Sequence, residues 1–149
     1  MALVVSSSAF RQDEQIPSRH TCDGVNVSPP LTWTDPPAGT GAFALVVDDP
    51  DAPSGTFTHW LLADIAMADR SFAEGHSRGT AGTNDFGRRG YGGPCPPKGH
   101  GRHRYRFHLH ALSRPVGLPA GFSRSQVDAA LDGLVLDTAV LTGWYERRG

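Results

Sequence analysis

Cysteine and methionine are scarce in this 149-residue chain, with two of each, and aromatic residues make up only 9%. Cys22 and Cys95 have no CxxC spacing, and two thiolates cannot build a Cys-type structural zinc site alone. Charge of one sign is also missing: 14 Lys and Arg face 15 Asp and Glu, leaving a formal charge of −1. A nucleic-acid binder usually carries a strong basic excess, so that class is excluded. No apolar run approaches the roughly 20 residues that cross a bilayer. The first eight residues carry no basic residue before a very short apolar stretch and do not read as a secretory signal. A cytoplasmic protein is therefore expected, and in a reducing compartment free thiols are favoured over a disulfide. There is no GxSxG elbow, P-loop, HExxH or dinucleotide fingerprint.

Glycine and proline, by contrast, are abundant, at 18 and 12 residues. Without a repeat period, that density indicates many turns and a mainly β domain spanning residues 1–149. Ala42–Val47 is a short apolar run and Phe57–Ile65 is rich in β-formers; both read as strands. From Arg104 to Leu112 the chain alternates strictly. Tyr105, Phe107, Leu109 and Ala111 share one face, and Arg104, Arg106, His108 and His110 share the other, wetter one. Extending that strand upstream puts His103 on the inward face. One helix is expected near the C-terminus. Ser123 and Gln126 form a capping box, and Val127, Ala130, Leu131, Leu134, Thr138 and Leu141 continue a 3–4 spacing toward a stop at Gly143. Arg70–Gly101 has little periodicity and reads as a long ordered loop region.

Three segments concentrate polar and conformationally restrictive residues. Asp48-Asp49-Pro50-Asp51-Ala52-Pro53 is a stiff acidic turn at a strand end. Phe57-Thr58-His59-Trp60 sets a histidine in an apolar strand. Gly90 to Tyr105 is a Gly/Pro loop feeding the alternating strand. Taken singly, each has a plain structural reading: a solvated turn, a satisfied core histidine, a stiff loop. Taken together, they put two imidazoles, a tyrosine hydroxyl and glycine N–H groups where a small anion could be held. Carboxylates from Asp49 or Asp51 would partner the imidazoles and favour their charged form.

The same segments resemble the phosphatidylethanolamine-binding protein family, in its small bacterial and archaeal branch labelled Raf-kinase-inhibitor-like (YbhB/YbcL type). The carrying residues are Asp49–Pro53, His59-Trp60, Gly93–Gly99 and His103-Arg104-Tyr105. Ile16–Gly24, Ser28–Trp33 and Asn84–Gly87 also resemble that branch. The resemblance implies a β-sandwich of two antiparallel sheets with one or two C-terminal helices. It also implies an anion pocket using Asp49, Asp51, His59, His103 and Tyr105, rimmed by Gly93, Pro94 and Pro96. Cysteines at the Cys22 and Cys95 positions tend to occur together in this branch, which leaves both the free-thiol and disulfide readings open.

A small phosphate-like or carboxylate anion, or a phosphorylated metabolite, is the expected ligand, without cofactor or metal. An enzyme using His59, His103, Asp49 and Tyr105 for acid–base chemistry is an alternative. A kinase or serine-protease inhibitor is another. A protein target and a homodimer are also among the expected partners.

Overall fold

The computed structural model of the protein describes residues 2–149. Among the described residues eight strands form two antiparallel sheets, as the family resemblance implies. The small sheet has the order β1-β2-β5, from Val4–Ser6, Leu31–Thr34 and Ser71–Phe72. The large sheet has the order β6-β4-β3-β7-β8, from Thr80–Ala81, Phe57–Ala66, Ala42–Asp49, His103–Leu112 and Val135–Tyr145.

The hydrophobic pattern of each strand follows from what covers it. The main core, with Trp33, Phe43, Trp60, Phe72 and Phe107, joins the small sheet to the inner face of the large one. A second cluster, with Ala44, Val46, Leu61, Phe122 and Val127, covers the outer face over β3 and β4. Strand β3 is thus buried on both sides at every position and reads as a continuous apolar run. Strand β7 has a covered inner face and a wetter outer face, so it alternates.

The helix is shorter than its spacing predicts. α1 spans Arg124–Leu131 behind the expected capping box at Ser123 and Gln126, and it buries Val127 and Leu131 on the outer face. Gly133, with φ of +77°, turns the chain out of the helix. Leu134 falls in the turn, while Thr138 and Leu141 lie in β8, the edge strand beside β7. There Ala139, Leu141, Gly143 and Tyr145 alternate inward, a period of two that the 3–4 spacing of the leucines masked. Gly143 sits inside this strand and does not stop a helix. Its missing side chain leaves room for Phe10 and Ile16, which a Cβ would strike.

Cys22 and Cys95 form a disulfide. It ties the loop after the short 3₁₀ turn Ser18–His20 to the loop that precedes β7.

Candidate functional site

The end of β3 splits two carboxylates between the faces of the large sheet. Asp48 points to the outer face, where Arg106, His108 and Arg124 bond it at 3.0, 3.2 and 3.3 Å. Burial opposes its charge, but the hydrogen bonds from His108 and Arg106 outweigh that and hold its pKa at about 2. Asp49, the next residue, points inward and accepts from His103 Nδ1 at 2.7 Å. Its other oxygen accepts from the Asp51 amide at 2.7 Å, which fixes the Pro50 turn.

His59 reaches the inner face through a β-bulge. Val47 pairs with Trp60 and Asp48 with Thr58, so His59 is the extra residue between them. The bulge lets His59 face inward while Trp60 stays in the core. Nδ1 of His59 bonds the carbonyl of Gly92 at 2.7 Å. A carbonyl only accepts, so Nδ1 carries the proton and Nε2 is the nitrogen left for the cavity. Burial lowers the His59 pKa, against weaker opposition from the Gly92 carbonyl and Asp49. The sequence expects a carboxylate partner and a favoured charged ring; the structure supplies a carbonyl partner and burial that disfavours the charged form.

A cavity of about 510 Å³ opens at this end of the sandwich. Asp49, His59, His103 and Tyr105 line it, with Pro96 at its rim. Phe57 and Phe86 add aromatic walls, their rings 4.8 Å apart, and His59 stands 5.2 Å from Tyr105 edge-on. The residues Ala52–Thr56 form one lip, and Asp85, Cys95 and Pro97 complete the wall. Tyr105 is 1% exposed; its hydroxyl makes no hydrogen bond of good geometry among the described residues, and the Asp49 carboxylate is the polar group beside it. Burial, with the Asp49 carboxylate beside it, raises the Tyr105 pKa far above the ordinary range.

Three residues expected at the pocket do not line it. Asp51 turns outward to Arg104, which holds it through the backbone amide at 2.9 Å and the guanidinium at 3.0 and 2.9 Å. The guanidinium hydrogen bond is the main reason the Asp51 pKa falls to about 2. The expected role of Asp51 in orienting an imidazole therefore fails, because a nearer cation takes both its oxygens. Gly93 and Pro94 anchor the rim from behind. The Gly93 amide donates to Asn26 Oδ1 at 3.0 Å, and the Pro94 carbonyl accepts from the Cys22 amide at 3.1 Å.

Sequence reasoning missed Phe57, Phe86, Asp85 and His100. Asn84 buries its amide and accepts from the Phe86 and Arg88 amides at 2.9 and 3.2 Å, which presents Phe86 to the cavity. The Asn-Asp-Phe-Gly string was a usable signal for that turn. His100 Nδ1 lies 2.6 Å from His103 Nε2, and a lone loop histidine gives no signal of such pairing.

The comparisons agree with this architecture. The phosphatidylethanolamine-binding protein family matches residues 6–146. This chain belongs to that family. A UPF0098 protein of Aquifex aeolicus is 48% identical, over 96% of this chain and 88% of its own length. A Mycobacterium tuberculosis relative named as a lipoprotein, LppC, is 42% identical over 97% of this chain and 72% of its own. Among solved structures, Escherichia coli YbcL superimposes with a TM-score of 0.93 at 33% identity, covering 99% of this chain and all of that one. A phosphatidylethanolamine-binding protein homologue from Chlamydia trachomatis gives 0.93 at 35%, covering 98% of each chain. Among the described residues, this family member has no helix long and apolar enough to cross a membrane.

Proposed function

We propose that the cavity binds a small oxyanion, a phosphoryl or carboxylate group, together with a proton. The observation that carries this reading is the Tyr105 hydroxyl, buried beside the cavity and the Asp49 carboxylate without a hydrogen bond of good geometry. An unsatisfied buried hydroxyl costs about 1–3 kcal/mol, which a ligand oxygen would recover.

The proton is demanded by electrostatics. Asp49 and Asp85 bring carboxylates to the wall, and burial keeps His59 neutral with Nε2 bare. Those groups accept hydrogen bonds and repel negative charge. Two like charges about 4 Å apart cost roughly 4 kcal/mol at an effective dielectric of 20. Neutralising one of them is therefore the condition for entry, and Phe57 and Phe86 offer apolar contact to whatever the oxyanion is attached to.

Calorimetric titration with inorganic phosphate between pH 5.5 and 8.5 tests the reading. Affinity falls as pH rises, and buffers of different ionisation enthalpy report about one proton taken up per anion. A pH-independent affinity contradicts it. For the acid–base enzyme alternative, His100 occupies Nε2 of His103, which leaves Nε2 of His59 as the imidazole nitrogen open to a substrate. Free thiols are the expectation for a reducing cytoplasm. The Cys22–Cys95 disulfide runs against it, and cell fractionation decides the location.

A further inference from the structure

His103 is 1% exposed, so both of its ring nitrogens need partners within the protein whatever their protonation state. Nδ1 has Asp49 at 2.7 Å and Nε2 has His100 at 2.6 Å. When His103 is neutral, its Nδ1–H donates to Asp49 and its bare Nε2 accepts from His100 Nδ1–H. When His103 is charged, Nε2–H donates to His100 Nδ1, and the proton of His100 sits on its exposed Nε2. The same contact serves both states, because an imidazole can present either a donor or an acceptor at Nδ1. Gly99 and Gly101, at φ of +76° and +88°, bend the loop on either side of His100. His100 itself remains solvent-exposed.

We propose that His100 is a positioning residue of the anion site: it keeps its hydrogen bond to His103 in either direction, and so lets that buried ring take up the proton that accompanies an oxyanion. This rests on the reading of the cavity as a proton-coupled oxyanion site and names where the proton goes. A solvent proton bonds to the exposed Nε2 of His100, the His100 Nδ1–H bond breaks, and that proton forms the Nε2–H bond of His103; the pair gains one proton in all. The Asp49–His103 pair then changes from a net negative charge to neutral, which removes the repulsion facing the ligand.

The other titratable groups around His103 come from every neighbouring strand. Tyr145 lies opposite on β8, Tyr105 follows on β7, and His59 faces the same cavity from β4. Asp51 acts on His103 from the turn after β3, with its charge held by Arg104. Asp85 stands at the rim, bonded to the Thr58 amide. None of these contacts Nε2 of His103.

The test compares the full chain with His100→Ala and His100→Gln, using inorganic phosphate and sulfate as probes. Sulfate does not itself titrate between pH 5.5 and 8, so any proton taken up with it goes to the protein. The wild-type chain takes up about one proton with either anion, and the ¹⁵N signal of His103 Nε2 moves to its protonated position. His100→Ala loses most of that uptake, weakens sulfate binding at pH 6 about tenfold and leaves the His103 signal in place. His100→Gln, whose amide can donate or accept, restores the uptake, which a loss of mere packing would not allow. Wild-type proton uptake and an unchanged His103 response in His100→Ala overturn the inference. Phosphate binding without sulfate binding places the proton on the ligand, which also overturns it while leaving the oxyanion reading intact. Failure of both anions to bind overturns both.

Discussion

Nδ1 of His59 donates to the carbonyl of Gly92 across 2.7 Å, and that bond decides what the cavity can recognise. It fixes the tautomer and leaves the bare Nε2 to the cavity. It also ties a β4 side chain to the loop that the Cys22–Cys95 disulfide restrains. Gly92 can approach so closely because a Cβ there would strike the Phe86 ring.

Tyr105→Phe separates binding from stability. Removing an unpartnered buried hydroxyl leaves the unfolding free energy within about 1 kcal/mol of wild type or raises it. Phosphate affinity measured by calorimetry drops at least about tenfold, the worth of one lost hydrogen bond to a charged ligand. Unchanged affinity would remove Tyr105 from the site.

Acid should destabilise the fold through two imidazoles. Burial lowers the pKa of His59, and burial followed by the charge of His108 lowers that of His110 to about 4. The unfolded chain takes up these protons near pH 6.5, whereas the folded chain resists them. Their contribution is thus complete above pH 6.5 and is lost as pH falls toward about 4, where His110 protonates in the fold. The slope is at most ~1.4 kcal/mol per pH unit for each group. Asp48 and Asp51, with pKa values near 2, lose their contributions only below about pH 3.8, outside this window. Urea midpoints at pH 7 and pH 5 check the slope, and His110→Gln removes its share.

Gly133→Ala discriminates the observed turn from an uninterrupted helix. In a helix interior, alanine would stabilise by about 1 kcal/mol. At φ of +77° with open space around its Cβ, it costs about 1 kcal/mol instead. The sign of the change in urea midpoint is the readout.

Replacing both Cys22 and Cys95 by serine should cost about 2–4 kcal/mol in chemical denaturation. The loops remain held by the Cys22 amide on the Pro94 carbonyl, Gly93 on Asn26 and the Tyr91 hydroxyl on the His20 carbonyl. The variant therefore still folds, and circular dichroism retains the β signature.

How far the sequence carries depends on the range of the forces involved. The alternation from Tyr105 to Ala111 records a sheet with one face covered, so β7 and the inward turn of His103 were legible. The capping box is local chemistry and identified where α1 begins. The end of α1 was not legible, because Leu134, Thr138 and Leu141 fit a helical spacing while the pairing of β8 with β7 overrode it. At the site, Asp49, His59, His103 and Tyr105 line one cavity. Asp51 was misread because its partner, Arg104, is 53 positions away in sequence. The neutral state of His59 was misread for a different reason: desolvation depends on packing that no motif encodes.

A crystal grown at pH 6 and soaked in inorganic phosphate tests the central claim most directly. The account predicts tetrahedral density in the cavity between β3, β4 and β7, within hydrogen-bond reach of the Tyr105 hydroxyl. Density instead on the outer face, at Arg106 and Arg124 around Asp48, with the cavity empty, would contradict it.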